Sequence, residues 1–183
     1  MKSIQYIILS FCLVLCSCSG ILDKEPIGIL DAGSFFKTSN DAIQAVNAAY
    51  EPLMFNNTNN NFYWGFGELT SDEAVTGGDG SRAGLTELDF FTYTSRTSEL
   101  NDFWKLQYKG INQCNTVLDK VPAVEMDAAL KDRILGEAHF LRAFYYFQLT
   151  QVFGDVQLLT KITPPSELKT AKSPKSEIYK AII

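Results

Sequence analysis

The sequence predicts an all-α fold, and three observations carry that expectation. Beyond residue 38 the apolar side chains recur at intervals of three and four, the spacing that lines one face of a helix. The segments so defined stop at Pro, Gly or a capping side chain. With 46% hydrophobic and 20% charged residues, the 183-residue chain has the composition of a globular protein able to bury one core.

The elements follow in order. Thr38 and Ser39 can cap a first helix in which Ile43, Val46, Tyr50 and Leu53 share a face and Asp41 sits favourably in the first turn; Pro52 should bend or end it. Residues 56–98 read as a long irregular loop region, with five asparagines between Asn56 and Asn61 and six of the twelve glycines between Gly65 and Gly84. A second helix, about Glu99 to Val121, places Phe103, Gln107, Ile111, Cys114, Leu118 and Val121 on one side, so Cys114 faces a core; Pro122 stops it. The third begins near Asp127 and runs to Phe153 with Ile134, Ala138, Leu141, Tyr145, Leu149 and Val152 on its inner stripe, before Gly154 and Asp155 end it. Ser173 and Pro174 open a fourth helix, which runs to Ile183.

The N-terminus is organised differently. Lys2 is followed by an apolar run from Ile7 to Cys16 and then by Ser17, Cys18, Ser19 and Gly20, the order of a secretory signal. The run is about half the roughly twenty residues that cross a bilayer as a helix, which disfavours a permanent transmembrane anchor. Leu15, Cys16, Ser17 and Cys18 resemble the bacterial lipobox, with an aliphatic residue three positions before an acylated cysteine and a small residue just before it. Cys18 fits that role; Cys16, preceded by bulky Leu15, does not. The expected organisation is a signal peptide over 1–17, a lipid anchor and extended tether over 18–38, and a helical domain over 39–183.

Charge and motif content narrow the function. The net charge is −5 and the basic residues are scattered, so no electropositive stripe is available for a phosphate backbone and nucleic acid is not expected as a partner. The single histidine, His139, has no cysteine or carboxylate at ligand spacing, which leaves a zinc site or catalytic dyad without parts. Asp72 and Glu73 are adjacent carboxylates, whereas glycoside hydrolysis needs two that face each other across a bond; solvation or calcium explains the pair more cheaply. The glycines lack the Lys-Ser/Thr of a phosphate loop and the third glycine of a dinucleotide fingerprint. Not an enzyme, and no cofactor, is the expectation.

Five segments, Leu22-Asp-Lys-Glu-Pro26, Phe35 to Ala42, Ala45 to Tyr50, Glu68-Leu-Thr-Ser-Asp-Glu-Ala74 and Gly136 to Asp155, stand in the order found in the SusD-like (RagB) family of outer-membrane nutrient-capture lipoproteins, which the chain resembles. The resemblance implies tetratricopeptide-like helix pairs, attachment to the outer membrane through a lipid on Cys18, an oligosaccharide ligand, and a partner transporter of the SusC-like, TonB-dependent type. Ala143 and Phe147 have the small-then-aromatic spacing at which such helices pack, and Trp104 opens a candidate partner helix.

Only the N-terminal part of a typical member is matched, so the expectation is a C-terminally truncated SusD-like domain that leaves an apolar helix face open. In starch-binding members aromatic residues follow the Asp-Glu step; here Thr76, Gly77 and Gly78 stand there, and starch binding is not carried over. The candidate ligand residues are Tyr63, Trp64 and Phe66 for stacking on a sugar and Asp72, Glu73, Asp79 and Arg82 for its hydroxyls. A structural envelope lipoprotein and a glycoside hydrolase are the rival readings.

Overall fold

A computed structural model describes residues 35–54 and 62–183, the side chains of Phe62 and Tyr63 excepted. Phe36–Ile183 forms one compact unit. Its helices are α1 (Ser39–Tyr50), α2 (Ala83–Asp89), α3 (Ser98–Lys120), α4 (Ala128–Phe153) and α5 (Lys175–Ile182). Among the described residues the only β-type pairing is an isolated antiparallel bridge between Val156 and Ser173. The fold is all-α.

Local chemistry sets the helix ends. At α1 the Thr38 hydroxyl accepts from Asp41 N at 3.3 Å and the Asp41 carboxylate accepts from Thr38 N at 2.8 Å, a reciprocal capping box. Hydrogen bonding from Thr38 holds the Asp41 carboxyl below its ordinary value. Pro52 lies in the tight 3-10 turn, Glu51–Leu53, that closes the helix. Asp127 caps α4 through its bond from Leu130 N at 2.9 Å, and Gly154 ends it at φ +70°, in the region that favours glycine.

The long helices α3 and α4 run antiparallel: Phe103 of α3 meets Phe153 of α4 near one end, and Gly110 lies against Tyr145 further along. α1 packs across both, and α5 packs on α4. Ala49, Ile111, Cys114, Leu141, Tyr145, Leu149 and Ile178 form the buried core between them. A Cβ at Gly110 would stand 2.5 Å from two ring carbons of Tyr145, so the absence of a side chain there sets how closely α3 and α4 approach. Tyr145 in turn donates its hydroxyl to Ala49 O at 2.6 Å and fastens α4 to α1.

The segment after α4 is stitched back onto the pair. Tyr108 donates to Gln157 O at 2.8 Å, Asn115 donates to Leu159 O at 2.9 Å, and Arg142 donates both to Asn115 Oδ1 at 2.9 Å and to Thr160 O at 3.1 Å. Arg142 therefore holds backbone in place. Ile178 of α5 is fully buried; the exposed apolar side chains of the helices include Phe140 and Phe147 on α4, at 66% and 45% exposure.

The described residues 62–97, ahead of α3, are less regular but not structureless. Their core is a second, small cluster of Leu69, Leu85 and Leu88, with Trp64, Phe66 and Ala74 packed around it. α2 lies inside the stretch read from sequence as loop. It is seven residues long and contains Gly84, too short and too glycine-marked for its periodicity to show.

Candidate functional site

A cleft of about 390 Å³ opens over this small cluster, lined by Trp64, Val75, Thr76, Asp79, Arg82 and Leu85 with the Gly77–Gly80 turn along one side. Gly78 and Gly80 adopt φ values of +96° and +76°, which side-chain-bearing residues rarely take. Between them Asp79 accepts from Ser81 N at 2.9 Å, and its hydrogen bonds to Ser81 lower its pKa.

Carboxylates brought from neighbouring helices hold the remaining wall. Asp89, at the end of α2, accepts from both Thr76 N at 2.7 Å and the Thr76 hydroxyl at 2.5 Å. Those two donors hold the Asp89 carboxyl below its usual value, the hydroxyl having the larger effect. Arg82 lies with Cζ 5.4 Å from the centre of the Trp64 ring, a cation–π contact, and 3.8 Å from the carboxylate of Glu99. Glu99 is buried, accepts from the Ser98 hydroxyl at 2.7 Å, and lies so close to α2 that a Cβ on Gly84 would be 1.5 Å from its Oε2. Glu87 of α2 accepts from the hydroxyl of buried Thr97, just before α3.

The cleft is thus an aromatic ring topped by a held guanidinium, beside a hydroxyl and a carboxylate. That is a set of donors, acceptors and one flat apolar surface. The stretch of chain that builds it is acidic: residues 62–102 carry Glu68, Asp72, Glu73, Asp79, Glu87, Asp89, Glu99 and Asp102 against Arg82 and Arg96, although of these carboxylates only Asp79 lines the cleft itself.

Of the residues chosen from sequence, the structure brings Trp64, Asp79 and Arg82 together. Phe66 turns away to pack on Phe103, ring centres 5.0 Å apart, and borders a separate groove with Phe91 and Tyr93. Asp72 and Glu73 are exposed and do not line the cleft. The Tyr63 side chain and Cys18 lie outside the described residues. Among the described residues no three His, Cys, Asp or Glu side chains gather where they could share a metal ion.

Sequence reading named Thr76, Gly84 and Glu99 without giving any of them a part in the site, and missed Asp89 altogether. Their pairings span 13 positions for Thr76 with Asp89, and 17, from 82 to 99, for Arg82 with Glu99. Neither spacing belongs to a local pattern. A larger cleft of about 580 Å³ lies elsewhere, between Trp104 and Tyr108 of α3 and Ile162, Pro164, Pro165 and Leu168 of the segment after α4.

A family model described as "Starch-binding associating with outer membrane" matches residues 37–183. This chain belongs to the SusD-like family. SusD-like protein P2 of Formosa agariphila is 30% identical, with the match covering 98% of this chain and 35% of that protein. SusD-like protein P38 of the same organism is 33% identical over 87% of this chain and 30% of its own length. Among solved structures, a laminarin-binding SusD-like protein superposes with a TM-score of 0.68 at 30% identity, covering 80% of this chain and 32% of that one. Surface glycan-binding protein A from Bacteroides fluxus gives 0.68 at 27% identity, covering 80% and 31%. This SusD-like chain therefore spans about a third of the length of the curated relatives it matches.

Proposed function

We propose that this SusD-like chain is a lipid-anchored, surface-exposed protein that captures an oligosaccharide without turning it over and passes it to a SusC-like, TonB-dependent transporter in the outer membrane. The cleft carries this reading: one indole, one guanidinium, one hydroxyl and one carboxylate converge on a space that takes one or two sugar rings. Family membership supports it, as do the glycan-binding names of two of the similar structures. The anchor in this reading is Cys18, exposed as the first residue once 1–17 are removed. Several acyl chains there would hold the protein firmly, one chain alone giving only marginal, reversible binding.

The test is affinity electrophoresis of the full chain through gels containing laminarin, starch, xylan or mannan, which are neutral, or alginate, polygalacturonate or carrageenan, which are anionic. Retardation by at least one is expected, and Trp64→Ala should weaken it about fivefold through loss of the stacking surface. Mobility unchanged in every gel would remove the reading. For the anchor, Cys18→Ala should abolish metabolic labelling by a fatty-acid analogue while Cys16→Ala leaves it intact.

A further inference from the structure

We propose that Glu99 is a positioning residue that holds Arg82 over Trp64 and thereby makes the cleft selective for uncharged glycans; this rests on the cleft being the glycan site proposed above. An arginine on an exposed loop ordinarily presents its planar fork to whatever anion arrives, and bidentate pairing with a carboxylate or sulfate is its strongest mode. Here the fork is engaged on two sides. The Trp64 ring lies 5.4 Å from Cζ, and the Glu99 carboxylate lies 3.8 Å from Nη2. Although the Arg82 side chain is 53% exposed, its carboxylate partner is only 8% exposed, so the pair is anchored from the protein side.

The anchor is itself anchored. Ser98 donates its hydroxyl to Glu99, and the carboxylate occupies the space that any side chain at position 84 would fill. Gly84 has an ordinary helical backbone in α2, so a positive φ does not explain a glycine there; the volume taken by Glu99 does.

The charge around the cleft points the same way. Among the described residues Arg82 is the one cation lining the cleft, and three carboxylates act on that lining: Asp79 belongs to it, Asp89 bonds Thr76, and Glu99 pairs with Arg82. The balance is two negative charges. A uronate or sulfate ester brought into the cleft meets that field and finds the one guanidinium already paired, whereas a neutral sugar loses nothing to it and gains pre-placed N–H donors.

Two substitutions separate this from a merely structural role. Glu99→Gln keeps the shape and removes the charge. Gly84→Ala keeps every ionisable group and displaces the Glu99 carboxylate, the movable end of a flexible side chain. In the same gels, wild type should be retarded by neutral polysaccharides and pass freely through anionic ones. Both variants should raise the ratio of anionic to neutral affinity about fivefold, the size expected for unmasking one partly exposed charge. Arg82→Ala added to either variant should cancel the gain.

A second readout needs no glycan: phenylglyoxal adduct formation at Arg82, followed by peptide mass spectrometry against Arg96 as internal reference, should be slow in wild type and faster in both variants. Wild-type binding to an anionic polysaccharide as tight as to any neutral one would overturn the selectivity. Equal adduct rates at Arg82 in wild type and variants would overturn the hold by Glu99. Retardation by no polysaccharide at all would count against the glycan reading, while the adduct rates still decide the role of Glu99.

Discussion

Tyr145 and Arg82 are each pinned from two sides, but by different means. Tyr145 lies wholly inside the helical core, its ring against Gly110 and its hydroxyl on Ala49 O. Arg82 lies on the cleft, half exposed, between an indole and a carboxylate. In the core, position follows from excluded volume and burial; in the cleft, it follows from hydrogen bonds and charges that pair residues far apart in the chain. The core therefore resists change in its packing, and the cleft resists change in its charge.

A glycine-to-alanine substitution should act very differently in the two regions. Gly110→Ala drives a methyl group into the ring of a buried tyrosine that has nowhere to move, and should cost about 2–3 kcal/mol of stability by overpacking. Gly84→Ala meets only the end of a flexible carboxylate and should leave the melting temperature nearly unchanged while altering the cleft. Urea unfolding of the two variants side by side reads the difference. Equal losses would mean that the cleft is packed as rigidly as the core.

The same contrast explains what could be read from sequence. The stripes of α3 and α4 were legible because burial repeats every three or four residues, and Phe103, Gln107, Ile111, Cys114, Ile134, Ala138, Leu141, Tyr145 and Leu149 are all buried where periodicity placed them. Thr38 was legible as a cap and Asp41 as a first-turn acid because both signals are local; Ser39, offered as a second cap, is the first helical residue, and the reciprocal bond between Thr38 and Asp41 was seen only in the structure. In the cleft, Trp64, Asp79 and Arg82 could be chosen by chemistry alone, from one glycine-rich stretch. Asp89 and Glu99 could not, because what makes them matter is a fold that returns α2 and the start of α3 to the loop. Phe66 was chosen on the same chemistry as Trp64, yet it faces Phe103; aromatic character does not say which way a ring turns.

A smaller effect sharpens the electrostatic half. Asp89 has its pKa depressed by the Thr76 bonds, so its ionised form favours the folded cleft. That contribution is complete above the ordinary value of 3.8 and is lost as pH falls through the depressed value. Asp89→Asn should abolish this acid step and loosen the Thr76 wall at neutral pH, with glycan retardation weakened and the melting temperature little changed. A pH titration of intrinsic tryptophan fluorescence, performed on wild type and variant, follows it; an identical acid step in both would remove Asp89 from the account.

The core should fail at the other end of the pH scale, and Cys114 reports it with the least disturbance. Burial among Ala49, Ile111 and Tyr145 pushes its thiol from an ordinary 9.0 up to about 12, and burial raises the hydroxyl of Tyr146 to about 12 as well. A group kept protonated in the folded state and free to ionise in the unfolded one favours folding below its unfolded pKa and loses that contribution as pH rises toward the folded one. For Cys114 the window runs from 9.0 to about 12. Iodoacetamide at pH 8 should leave native Cys114 unmodified, since a buried thiol presents no thiolate to alkylate, and should label it fully in urea. Between pH 9 and 11, labelling should rise together with loss of helical circular dichroism, because the thiol reacts only as the core opens. Gly110→Ala should shift that rise to lower pH, whereas Glu99→Gln should not move it. Rapid alkylation of the intact helical protein at pH 8 would show that α1, α3 and α4 do not close over the cysteine, and the distinction between a packed core and a charge-held cleft would lose its firmer half.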